Sequence, residues 1–168
     1  MIGRLSKKLY SDYPELFEQK DWSMQKTCMC WGIDCGSGWY GIIDRLCKDI
    51  MYLVEDERSM NPDFRCPQFS QIKEKFGLLR IYIDQYEDRE TSQYVLGMIR
   101  HAETASAFVC DGCGTTVGVT TEGSWIGSVC SECRKNRCKI TILERCITWL
   151  KTQKRALIKE LNSLKKIF

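Results

Sequence analysis

The chain has 168 residues, 43% hydrophobic and 28% charged, with a formal net charge of +3. Such a chain buries one core and is neither disordered nor fibrous. No run approaches the ~18 apolar residues of a membrane span, and the opening Met1-Ile-Gly-Arg-Leu-Ser-Lys-Lys-Leu9 lacks the apolar stretch of a secretory signal. A cytoplasmic protein with no membrane partner is therefore expected.

The modest net charge conceals a split. Residues 1–133 carry 14 Lys and Arg against 20 Asp and Glu, a net of −6, while residues 134–168 carry 11 basic against 2 acidic residues, a net of +9. A terminal segment this basic meets phosphates, docks on an acidic protein, or folds back on its own acidic body. The eleven cysteines are odd in number. Without an export signal they read as reduced thiols and metal ligands.

In chain order, residues 1–37 are polar and aromatic, with Tyr10, Tyr13, Leu16, Phe17 and Trp22 on or around a short helix. They end in a glycine-flanked loop, Cys28-Met-Cys-Trp-Gly-Ile-Asp-Cys-Gly-Ser-Gly38. From Trp39 to about Glu57, apolar Trp39, Ile42, Ile43, Leu46, Ile50, Leu53 and Val54 recur at three- and four-residue steps and predict an amphipathic helix. After Asn61-Pro62 and Cys66-Pro67, residues 68–76 and 78–84 read as a β-hairpin around Gly77. Leu79, Ile81 and Ile83 fall on one face and Arg80 and Tyr82 on the other. Residues 90–108 read as another helix, capped by Thr91 or Ser92, with Tyr94, Met98, Ala102 and Ala105 on its apolar side.

Next come two cysteine pairs, Cys110-Asp-Gly-Cys113 and Cys130-Ser-Glu-Cys133, sixteen residues apart. This is the ligand spacing of a structural zinc ribbon. Four protein thiolates close a tetrahedron and leave no position for water, so one structural Zn2+ on Cys110, Cys113, Cys130 and Cys133 is expected, without Lewis-acid chemistry. A redox dithiol or a disulfide pair competes with this reading. A thioredoxin-like motif occurs once, at a helix start, whereas this one occurs twice around a Thr-, Gly- and Val-rich stretch (115–125) that reads as short strands. Cys28, Cys30, Cys35 and Cys47 are candidates for a second metal or thiol site. The alternative, small buried hydrophobes that happen to be cysteine, takes precedence because free cysteine is among the most buried residue types.

The last segment carries Leu143, Ile147, Leu150, Lys154, Leu157, Leu161, Leu164 and Phe168 at alternating four- and three-residue steps, a heptad seam with one lysine inside it. A long basic helix is expected there. Ile147, Leu150, Leu157, Leu161 and Leu164 are candidates for a homodimer seam, and Lys151, Lys154, Arg155, Lys159, Lys165 and Lys166 for contact with a partner. The expected fold class is α+β: a helix and β-hairpin body over 1–107, a zinc ribbon over 108–137 and a basic amphipathic helix over 138–168.

Taken together, Cys35-Gly-Ser-Gly-Trp39, Ile43-Asp-Arg-Leu-Cys47, Gln71-Ile-Lys-Glu-Lys-Phe-Gly-Leu-Leu-Arg-Ile-Tyr82, Ala102-Glu103 and the paired knuckles around Trp125 resemble a group of uncharacterised small phage and prophage proteins. The resemblance covers residues 28–134. It implies a phage-borne protein with a zinc-ribbon end, acting in the host cell cytoplasm, and brings no biochemical activity with it. Ser37 stands where the pattern calls for an acidic residue, and the basic C-terminal helix looks like an addition.

Catalytic equipment is thin. The one histidine, His101, lies on a helix beside Met98 and Ala102, and Asp34, Asp44, Glu74 and Glu103 are scattered along the chain. No catalytic residue is assigned, and the chain reads as a non-enzyme. Lys73, Lys75, Arg80 and Tyr82 could form a face for nucleic acid, but read first as a solvated sheet face opposed by Glu74 and Asp84. Trp31 and Trp125 read first as local core beside a turn and a knuckle. The expected function is non-catalytic: a zinc-stabilised accessory protein that binds and modulates a host protein, as a host-takeover or anti-defence inhibitor. The alternative is a nucleic-acid-binding regulator using the basic helix and the zinc ribbon.

Overall fold

The computed structural model describes residues 1–84, 89–121 and 126–136. The chain divides into two compact units, Met1–Ser131 and Glu132–Phe168. The first holds α1 (Gly3–Asp12), α2 (Tyr40–Met60), β1 (Phe69–Lys75), β2 (Leu78–Ile83), α3 (Arg89–Ser106), β3 (Val119–Thr120) and β4 (Val129–Cys130), with short 3-10 turns at Glu18–Asp21, Met29–Trp31 and Ser37–Trp39. Of the second unit, the described residues continue a helical turn at 131–136, in which Asn136 Nδ2 donates to Glu132 Oε1 at 3.3 Å. The mixed α+β class agrees with the sequence. The expected basic helix, its dimer seam and its partner-contact lysines all lie outside the described residues, as does Trp125.

The first helix ends sooner than its aromatic residues suggest. Pro14 disfavours helical geometry at Tyr13, whose φ of −133° leaves the α region, and the Tyr13 N–H closes α1 on Leu9 O. Leu16 and Phe17 then enter the core from a turn. Phe17 packs between Tyr10 and Phe69, with ring centroids 5.1 Å apart in each pair, while Trp22 stays partly exposed. The second helix follows its periodicity: Ile43, Leu46, Cys47, Ile50 and Val54 are buried, and Asn61-Pro62 follows its last residue.

The hairpin pairs Ile72 with Ile81 and Glu74 with Leu79 on the core side, and Lys73 with Arg80 and Gln71 with Tyr82 on the outer side. Its two-residue loop is Phe76-Gly77, with φ of 52° and 81°, the signs a type I′ turn requires. Glycine adopts such a φ freely; Phe76 does so at a cost of roughly 1–2 kcal/mol. Glu74 Oε1 accepts from the Gly77 N–H at 2.6 Å and helps hold the turn.

Both long edges of this two-stranded sheet are occupied. On the β1 side, Asp34 N–H donates to Ile72 O (2.9 Å) and Asp34 O accepts from Glu74 N–H (2.8 Å). On the β2 side the helix α3 supplies side chains: Ser106 Oγ accepts from Leu79 N–H and Glu103 Oε1 from Ile81 N–H, each at 2.9 Å. Backbone donors that would template aggregation are thereby satisfied.

That clasp also corrects the expected face of α3. The buried residues are Thr91, Val95, Ile99, Ala102 and Ser106, whereas Tyr94 is 59% exposed. Two polar residues belong to the buried stripe because each has a partner, Ser106 on β2 and Thr91 on Glu57 Oε1 of α2 at 3.1 Å. Hydrophobic periodicity cannot see a stripe of that kind. Thr91 and Ser92 lie within the first turn of a helix that begins at Arg89, not in front of it. No helix among the described residues is long and apolar enough to cross a membrane.

Candidate metal centre

The knuckle begins where α3 ends. Cys110 N–H donates to Thr115 O and Gly114 N–H to Cys110 O, both at 2.8 Å, folding Cys110-Asp-Gly-Cys113-Gly114 into a tight turn. Gly114, at φ 81°, takes the left-handed geometry this turn needs. The short β3–β4 ladder pairs Val119 with Cys130 and Thr120 with Val129, which brings Cys130 back over the turn. Cys133 follows three residues later on the helical turn at 131–136.

One sulfur of each of Cys110, Cys113, Cys130 and Cys133 then lies within 4.8 Å of every other. The edge between Cys113 Sγ and Cys130 Sγ is 3.8 Å. A tetrahedron of sulfurs about 2.3 Å from a central zinc has edges of about 3.8 Å, whereas a disulfide would bring two sulfurs to about 2.05 Å. The cluster therefore fits a four-thiolate metal site. Burial alone would raise the Cys110 thiol, but N–H groups of Cys130, Cys113 and Gly112 aimed at its sulfur prevail and bring it down to about 6. The Cys130 N–H lies 3.3 Å from that sulfur. Such a thiol is a thiolate at neutral pH, the form a metal binds.

Residues 108–131 sit inside the compact unit Met1–Ser131 and not apart from it. The turn Cys35-Gly-Ser-Gly-Trp39, singled out by the sequence pattern without a role, holds the knuckle. Gly36 N–H donates to the Asp111 carboxylate, Gly38 N–H to Asp111 O at 2.8 Å, and the buried Trp39 indole N–H to Val109 O at 2.8 Å. A Cβ at Gly38 would lie 2.0 Å from Cys110 O, and one at Gly36 2.1 Å from Asp111 O. Both glycines exist for this close approach. The hairpin tip adds a second attachment, since Gly77 bridges Gly127, Ser128 Oγ donates to Gly77 O (2.6 Å) and Asp111 N–H donates to Ser128 O (2.8 Å). Ser37 Oγ accepts from Ile2 N–H at 3.1 Å. Asp111, buried between these segments, was missed by sequence reasoning; its place inside a Cys-x-x-Cys motif was the available signal.

The other candidate residues go elsewhere. Among the described residues, Cys28, Cys30, Cys35 and Cys47 do not gather as metal ligands. Cys28 is exposed, Cys30 donates its thiol to Thr27 O, and Cys35 and Cys47 are buried. Burial, with Asp111 nearby, pushes the Cys35 thiol up to about 12, and burial raises Cys47 well above its usual range. Asp44 accepts from Tyr13 Oη at 3.0 Å, and Glu103, Glu74 and Asp34 are engaged at the hairpin as described above. His101 is exposed beside a groove of about 550 Å3 between α2 and α3, edged by Arg45 and Asp49, which pair with each other at 3.0 Å. Trp31, expected as local core, is instead 71% exposed. Compared with family models, curated proteins and solved structures, the chain matches none.

Proposed function

We propose that this protein is a non-catalytic accessory protein, stapled by one structural zinc ion, that binds and modulates a host protein. The sulfur cluster carries the reading: all four ligands come from the chain, so a zinc held there keeps no open position for water or substrate and contributes to folding instead. The chain's own residues do the rest. Asp111, Gly36, Gly38 and Trp39 tie the knuckle to the body, so the metal organises a surface that includes the hairpin tip.

Three further observations support binding over chemistry. Of the four acidic residues weighed as acid or base groups, Asp44, Glu74 and Glu103 use their carboxylates to hold a tyrosine hydroxyl or backbone N–H groups, and Asp34 joins the sheet edge through its backbone. Large apolar side chains such as Trp31, Met24 and Tyr52 face solvent. Residues 1–133 carry a net −6, which disfavours a phosphate backbone over most of the body.

Native mass spectrometry of the protein recovered from host lysate, with and without nuclease, tests the reading. One zinc per chain and a protein partner retained after nuclease is the expected result. A zinc-free folded chain, or a partner lost with nuclease, overturns it.

A further inference from the structure

The outer face of the hairpin differs from the solvated face expected of it. Glu74 points to the core side and bonds the Gly77 N–H, and Asp84 accepts from Gln19, so neither opposes the basic residues. Lys73 and Lys75 have no carboxylate partner among the described residues, and each lies over an aromatic ring instead. Lys73 Nζ is 5.5 Å from the Tyr82 centroid and Lys75 Nζ 5.6 Å from that of Phe76. Arg80, opposite Lys73, holds Glu103 loosely at 3.4 Å.

Along one face the order is thus ring, cation, cation, ring. Tyr82 is 43% exposed and Phe76 72%. With Tyr82 opposite Gln71, the two rings stand about five residues apart, roughly 16 Å at the rise of a strand. Phe76 is held in a left-handed conformation by a turn whose Gly77 is fixed to Glu74, Gly127 and Ser128. An exposed aromatic kept rigid at a conformational cost is the arrangement of a presented contact.

We propose that this face is a binding platform for single-stranded nucleic acid, with bases stacking on Tyr82 and Phe76 and phosphates meeting Lys73, Lys75 and Arg80. A single strand supplies anionic groups and π-faces in alternation, and so matches both halves of the pattern. An acidic peptide would satisfy the cations and leave the rings without partners. A duplex is disfavoured by chemistry: its bases are already stacked on one another inside the helix and offer no free π-face to the exposed rings of Tyr82 and Phe76. This site goes beyond the protein-partner reading and stands whether or not that partner is found.

The test is fluorescence anisotropy of a labelled 12-nucleotide oligothymidine with the full-length, zinc-loaded protein, against a duplex of the same length. Phe76→Gly removes a ring while relieving its backbone, so its fold is preserved by design. Together with Tyr82→Ala it is expected to weaken oligothymidine binding about five- to hundredfold per ring and duplex binding less than twofold. Lys73→Gln/Lys75→Gln is expected to reduce the slope of log K against log salt by about 1.4, two single-strand phosphates' worth. If Phe76→Gly, with its melting temperature intact, binds oligothymidine as tightly as the parent, the platform is refuted even if residues 134–168 hold nucleic acid by charge. Loss on lysine substitution with no loss on ring substitution refutes it equally.

Discussion

The chain carries two groups of cysteines that look alike in sequence and end in opposite chemical states. Cys35 and Cys47 are buried and Cys66 half-buried, and there desolvation outweighs what favours a thiolate and drives the thiols up, Cys35 and Cys66 to about 12. Cys110 is fully buried too, yet backbone N–H groups surround its sulfur and bring it down to about 6. Burial does not decide whether a cysteine is a ligand; the donors aimed at it do. A tight turn brings several N–H groups to one sulfur, whereas mid-helix Cys47 has only one backbone N–H acting on it, because the helix's N–H groups are already bonded along its axis.

With the four-cysteine cluster holding zinc as proposed, removing the metal should break the contrast most forcefully. Structural zinc contributes on the order of 10 kcal/mol to folding, so chelation, or Cys113→Ser, should lower the thermal midpoint by more than about 10 °C and loosen the packing around Trp39, read by near-UV circular dichroism. The same loss from Cys35→Ser, with released metal detected, would show that the first group is also a metal site. Next in size is Gly38→Ala, which drives a methyl into Cys110 O and Gly114 N. Rigid backbone cannot move aside as a side chain can, so a cost of about 3 kcal/mol or more is expected in urea unfolding, with weakened zinc retention.

Alkaline pH addresses the first group directly. Thiols whose folded values lie above their unfolded value near 9 keep their protons while the unfolded chain loses them. Their contribution is therefore fully present below about pH 9 and is lost as the pH rises to about 12, a decline on the order of a few kcal/mol visible in denaturant titrations across that window. The smallest effect is expected of Cys47→Ala: about 1 kcal/mol for a small buried void, with zinc stoichiometry by mass spectrometry unchanged.

Much of this was legible in sequence, for identifiable reasons. Helix α2 announces itself because Ile43, Leu46, Ile50 and Val54 are apolar on the face that is buried, and the hairpin because Leu79 and Ile81 alternate with Arg80 and Tyr82. Helix α3 was placed along the chain with its buried face only partly right, Ala102 inside and Tyr94 outside, because Thr91 and Ser106 are polar and buried with partners on other elements. Glu103 belongs to the same case: it reads as a surface acid and serves as the edge partner of a strand.

The spacing of Cys110, Cys113, Cys130 and Cys133 by itself determined a four-thiol cluster, since ligands on two short turns need only local geometry and one closing ladder. Among the described residues, sequence also determined that the segments of α2 and α3 are helical and where the hairpin turns, because those follow from neighbours three, four or two residues away. Only the tertiary structure decided what holds the cluster in place. Gly36, Gly38 and Trp39 meet Asp111 and Val109 across seventy residues of chain or more, and the Phe76-Gly77 turn meets Gly127 and Ser128 across fifty. Contacts at that separation depend on how whole elements pack, which residue type and local spacing do not encode.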